Sequence, residues 1–221
     1  MITVEKLYDV LYARYGTTGW WPADSPDEVI AGTILTQNTS WTNVEKAMQS
    51  LKANGPVTLQ AICSMPSEQL ESAIKSSGFY RQKAARLKGL SCAILSKYGS
   101  VEKMAREDQD EASDFLKNIK GVGQETLDSI LLYALEKPVF VVDKYTARIF
   151  QRTGIMDKPD MRSIKEEVHI FLDKNIEALK NFHGMIVYLG KDYCRTKPLC
   201  GDCPVKNLCA YATNGEKHSD E

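Results

Sequence analysis

The chain has 221 residues, of which 43% are hydrophobic and 26% charged, with a formal net charge of −1. That hydrophobic share can bury the core of one domain or two small ones, which excludes disorder as the default, and the near-zero charge excludes a globally basic polyanion binder. The opening MITVEKLYDVLYARYG carries Glu5 and no sustained apolar run, and no later stretch reaches membrane-spanning length, so a soluble cytoplasmic protein without a membrane partner is expected.

In chain order, Val4, Leu7, Tyr8 and Leu11 recur at helical spacing and predict a first helix. The stretch WWPADSPDEV interrupts it and supplies caps for a second helix starting near Pro26 or Asp27. Further breaks fall at ANGPVT, SSGFYRQ, KGVGQ and EKPVFVVD, with helix-flavoured segments between them, including Leu127, Ile130, Leu131 and Leu135. The apolar run Val139 to Val142 could be a strand by pattern, but it has no second strand to pair with and reads as an extended connection. Cys63 and Cys92 lie in apolar helical surroundings and read as small buried hydrophobes, since a reducing compartment disfavours disulfides. The tail ATNGEKHSDE reads as solvated and frayed.

Three features carry chemistry. FLKNIKGVGQETLDSILLYAL reads helix, tight turn, helix, and the backbone N–H groups around Gly121 and Gly123 can hold a phosphate, with Lys117 and Lys120 alongside. The same turn also occurs as plain helix packing. About twenty residues on, Asp143 ends an apolar run and precedes a helix bearing Lys144, Arg148 and Arg152. It can cap that helix, and a carboxylate at such an edge can also stabilise developing positive charge or polarise a water. Near the end, Cys194, Cys200, Cys203 and Cys209 form C-x5-C-x2-C-x5-C, a spacing that suits a structural zinc as well as an iron–sulfur cluster. Lys191, Arg195, Lys197 and Lys206 make this loop cationic, as a phosphate grip or a solvated face.

Taken together, the GVG hairpin, the VVD that follows and the four cysteines resemble the helix-hairpin-helix base-excision DNA glycosylases of the endonuclease III type, from AGTILTQNTSWTNVEKA through SGFYRQKAARL to the C-terminal loop. The resemblance implies an all-α fold of two helical domains with the lesion pocket between them. Residues 21–135 would form a six-helix barrel domain ending in the hairpin, and 1–20 with 136–221 a domain carrying the catalytic aspartate and the cluster loop. It also implies a [4Fe-4S] cluster on the four cysteines, with zinc as the alternative, although the first cysteine gap is one residue shorter than in endonuclease III. The implied partner is double-stranded DNA containing a damaged base, bound by a monomer.

By the same resemblance Asp143 is the catalytic carboxylate, Asn38 beside Gln37 forms one wedge, and Phe79 forms a plug against the opposite strand. The hairpin residues Lys120, Gly121 and Gly123, with Lys144, Arg148 and Lys197, complete the expected DNA contacts. Relatives that also cut the backbone carry a lysine where GVGQET has Glu125, which cannot form an imine, so a monofunctional hydrolase is expected. WWP at Trp20, Trp21 and Pro22, together with LTQNT and VVDKY, resembles the 3-methyladenine glycosylases of this superfamily, and indole faces suit the positive charge of an alkylated purine. Tandem tryptophans can equally anchor the start of a helical domain. The alternatives are an endonuclease III-like glycosylase and lyase for oxidised pyrimidines, a glycosylase for deaminated or mismatched bases, a non-catalytic DNA-binding helical module, and a zinc-stapled interaction protein. His169 and His183 receive no role; His183 reads as a satisfied helix histidine.

Overall fold

The computed structural model describes residues 2–215, whose regular elements are all helices, with no strand among them. In order the helices are α1 (Val4–Tyr15), α2 (Pro26–Leu35), α3 (Trp41–Lys52), α4 (Leu59–Ser64), α5 (Ser67–Ala73), α6 (Tyr80–Tyr98) and α7 (Val101–Met104). There follow α8 (Gln109–Lys117), α9 (Gln124–Ser129), α10 (Lys144–Thr153), α11 (Met161–Leu172), α12 (Ile176–Asp192) and α13 (Ala210–Gly215). The chain divides into two units, Pro22–Lys137 and Met1–Trp21 with Pro138–Glu221.

In the unit Pro22–Lys137 the central element is α2. Ser25 accepts the backbone N–H of Glu28, Pro26 occupies the first turn, and every residue from Glu28 to Leu35 is buried. A helix apolar on all sides belongs inside, and the others pack around it. Glu28 is partnered by Lys52 at 2.9 Å, which also reaches Asp24 at 2.6 Å. The six helices expected resolve into eight segments, α2–α9, because α4, α5, α7 and α9 are each only four to seven residues long. Past α9, residues Ile130–Ala134 continue as a π turn. Cys63 of α4 and Cys92 of α6 are joined by a disulfide with a Cα–Cα distance of 5.1 Å. This corrects the expectation of two separate buried hydrophobes: helical periodicity shows that each helix has an inner face, but not that these two thiols meet.

In the second unit α12 is the core helix, burying Leu179, Phe182, Met185, Ile186 and Leu189. Val139–Val142 is extended, buried and unpaired, as the sequence suggests, and Phe140 stacks on Phe182 at 5.6 Å. The expectation of a frayed tail is corrected where the structure describes it. Ala212 is buried in α13 and Thr213 Oγ1 donates to the Cys209 carbonyl, while residues 216–221 lie outside the described residues.

Candidate active site and nucleic-acid interface

Two tips project from the unit Pro22–Lys137. Asn38, three residues beyond α2, and Phe79, immediately before α6, both have left-handed backbones, with φ of 53° and 46°. A non-glycine residue there costs roughly 1–3 kcal/mol and persists only when the surroundings hold it. Asn38 is exposed and Phe79 is 69% exposed, so the latter is no core aromatic.

Gln37, beside the first tip, is turned inward. Its Nε2 donates to the Gly121 carbonyl at 3.0 Å and to Thr126 Oγ1 at 3.1 Å, while its Oε1 accepts from Arg86 at 2.7 Å. The loop is thereby tied to the hairpin between α8 and α9. Gly121 has φ of 95°, and a Cβ there would stand 2.6 Å from the Arg86 stem, so glycine is required on both counts. Lys120 and Gly123 are exposed beside it, and Glu125 lies exposed in the first turn of α9.

The other unit holds the carboxylate. Asp143 caps α10, with Oδ1 accepting from the Thr146 N–H at 2.7 Å and the Thr146 hydroxyl at 2.8 Å. Its Oδ2 lies 3.7 Å from His183 Nε2 of α12, with the side chains 12% and 5% exposed respectively. Burial pushes the Asp143 carboxyl up, but the His183 ring and the two Thr146 donors outweigh it and hold the group below its ordinary 3.8. Asp143 is therefore a helix cap whose carboxyl is also held toward its anionic form. One residue along α12, Gly184 leaves room for Trp20: a Cβ there would stand 2.6 Å from the Trp20 Cβ. Trp20 meets Trp21 at 5.8 Å and the edge of Tyr188 at 5.9 Å. An aromatic wall thus stands along the helix that carries the carboxylate's histidine. Pro22 is exposed and begins the other unit; Lys144 is exposed next to Asp143.

Cys194, Cys200, Cys203 and Cys209 all line one recess. α10 anchors this loop: Arg148 Nε donates to the Cys194 carbonyl at 2.8 Å, and Arg152 reaches the Arg195 and Thr196 carbonyls at 2.6 and 3.0 Å. These two arginines are turned to the loop, whereas Lys197 is exposed. Among the described residues no group of three or more His, Cys, Asp or Glu side chains is placed to hold a single metal ion. The donor set, four thiols around one recess, nevertheless fits a larger thiolate-bound group.

Sequence reading gave no role to Lys83, Arg86, Tyr188 or His183. Two left a signal: Lys83 interrupts the apolar stripe Leu87, Leu90 and Ile94 of α6, and His183 that of Leu179, Phe182 and Ile186 on α12. A polar residue on an inward face needs a partner, which is the clue such positions offer.

Residues 31–173 match the HhH-GPD superfamily base excision DNA repair protein family, and the chain belongs to it. Within it, the chain is a DNA glycosylase of the endonuclease III superfamily. It is 44% identical over 209 residues to a Methanocaldococcus jannaschii protein assigned by name to the DNA repair glycosylases, covering 93% of this chain and 95% of that one. It is 32% identical to endonuclease III of Thermotoga maritima, over 84% and 83% of the two chains. Among solved structures it resembles the H. pylori 3-methyladenine DNA glycosylase MagIII bound to 1,N6-ethenoadenine, with a TM-score of 0.76, 28% identity, and coverage of 86% and 98%. An endonuclease III–DNA complex shares the fold at a TM-score of 0.81 and 22% identity, over 98% and 100%.

Proposed function

We propose that the protein is a monofunctional glycosylase that releases alkylated purines such as 3-methyladenine from duplex DNA and leaves an abasic site. The observation that carries the reading is Asp143, a carboxylate kept ionised in a largely buried place, on a unit whose aromatic wall is Trp20, Trp21 and Tyr188.

An N-alkylated purine carries a formal positive charge. When the C1′–N bond breaks, the bonding pair leaves with the base and neutralises that charge, so no strong general acid is needed. Positive charge then builds on the sugar, and the Asp143 anion stabilises it electrostatically in a site of low effective dielectric. Water adds its oxygen to C1′ and gives its proton to the same carboxylate. Indole faces attract a cationic base by about 0.5–2 kcal/mol each, which favours alkylated over neutral purines. Glu125, where relatives with lyase activity carry lysine, offers no amine for an imine. The likeness to the H. pylori 3-methyladenine DNA glycosylase supports the same substrate class.

In this reading the protein meets DNA as a monomer through the Asn38 and Phe79 tips, the Lys120–Gly123 hairpin and the cationic Lys197 loop. Cys194, Cys200, Cys203 and Cys209 would hold a [4Fe-4S] cluster, which when bound supplies a structural clamp for that loop. Tetrahedral zinc needs thiolates about 3.8 Å apart, given its bond length of about 2.3 Å. The four thiols lining one recess are a donor set that either group can take, and the family resemblance favours the cluster.

The identity to endonuclease III of T. maritima favours a second reading, a glycosylase with lyase activity on oxidised pyrimidines. Borohydride reduction during turnover on lesion DNA separates the two. The proposal expects free base and no trapped protein–DNA adduct; a covalent adduct would overturn the monofunctional mechanism. Asp143→Asn is expected to slow base release at least about 10²-fold with DNA affinity retained. Unchanged release would remove Asp143 from the chemistry.

A further inference from the structure

Lys83 is 1% exposed, one of the largest fully buried side chains of the protein. Both acceptors of its ammonium are backbone carbonyls: Leu35 O at 2.8 Å and Ser77 O at 2.6 Å. Burial pushes the group down to about 8 from 10.5, with the Arg86 charge adding to the effect. A methionine would fill the same space without a desolvated charge, so packing alone does not account for a lysine here.

The two carbonyls define what the ammonium does. Leu35 is the last residue of α2, three positions before Asn38, and Ser77 stands two positions before Phe79. One cation therefore links the roots of two loops whose tips both sit in the strained left-handed region with exposed side chains. Such backbones hold only where their surroundings over-determine them. One turn further along α6, Arg86 reaches Gln37 and through it the hairpin, so α6 braces the first loop from two sides. The cross-links fall on the segments meant for DNA.

We propose that Lys83 is a positioning residue: its ammonium, bridging the Leu35 and Ser77 carbonyls, sets the separation and left-handed geometry of the Asn38 and Phe79 tips so that both enter an opened DNA stack together. This rests on the glycosylase reading only in taking the tips as the parts that enter DNA. Lys83 touches no substrate; it acts through the loops.

The test uses the full-length protein and a duplex with a tetrahydrofuran abasic analogue facing 2-aminopurine, a base that brightens when its stacking is lost. Wild type is expected to brighten the probe severalfold as Phe79 presses on the facing strand. Lys83→Met is expected to lose most of that rise while keeping affinity within about threefold, because phosphate contacts rather than the tips supply most of the binding. Lys83→Arg, which retains donors for both carbonyls, should restore the rise, and Lys83→Gln, with a shorter reach, should fall between. A protein whose lysine only supported the fold would lose affinity and fluorescence together, in step with its thermal stability. Equal brightening by Lys83→Met and wild type overturns the proposal, as does a wild type that brightens nothing. Should Lys83→Met fail to fold, the order of wild type, Arg and Gln decides, and a flat order is refutation. The probe duplex contains no cleavable base. Absence of base release from every lesion would therefore sink the alkylpurine reading while this fluorescence order still decides the role of Lys83.

Discussion

At the scale of the residue, the central object is the Asp143–His183 pair. A buried carboxyl left alone would titrate upward, toward neutrality, and lose the charge its proposed role needs. Here the His183 ring and the Thr146 donors reverse that, so the folded carboxyl lies below its ordinary 3.8. The sign follows: the pair contributes stability that is present above about pH 4 and lost as pH falls through the lower folded value. Base release should thus show no Asp143-dependent loss from pH 8 down to about 5. In His183→Ala, burial is opposed by Thr146 alone, and the acid limb of the single-turnover rate is expected to move up toward neutral pH. An unchanged limb would show that His183 does not tune Asp143. The aspartate was legible from its place at the end of VVD, and the histidine was not. Forty residues separate Asp143 from His183, and only the packing of α10 on α12 brings them together.

At the scale of the element, the capped starts of helices read well from sequence, and the meeting of their faces did not. The Ser25–Pro26 start of α2 follows from residue types at fixed offsets. Gln37, by contrast, sits in a loop motif whose sequence suggests an outward role, and its inward hydrogen bonds need the Gly121 carbonyl and Arg86 to arrive from two other elements. The Cys63–Cys92 bond is a case of the same kind, and it closes a loop of sequence separation 29 between α4 and α6. Loop-closure entropy puts its contribution at about 3–4 kcal/mol. Cys63→Ser is expected to lower unfolding stability in denaturant by that amount with the rate of base release unchanged, since neither thiol borders a tip or the hairpin. A stability unchanged by the substitution would mean that the bond does not form in solution.

At the scale of the whole molecule, the all-helical class was visible in the periodicity, and the family in motifs spread over nearly the full chain. The nature of the cysteine-bound group was less legible, because C-x5-C-x2-C-x5-C fits two chemistries. Purified protein is expected to be brown, with visible charge-transfer absorption and about four irons per chain. Cys200→Ala should bleach that colour and weaken DNA binding at moderate salt through loss of the ordered Lys197 loop. A colourless preparation containing zinc would contradict the cluster.

The proposed mechanism turns on the substrate. It is tested most directly by incubating the protein, under single-turnover conditions, with duplexes carrying 3-methyladenine, 7-methylguanine, hypoxanthine, uracil or thymine glycol and measuring free base and intact abasic strand. Release from the alkylated purines with the strand left uncut is expected; no release from these, or release confined to thymine glycol with strand cleavage, would contradict the alkylpurine reading.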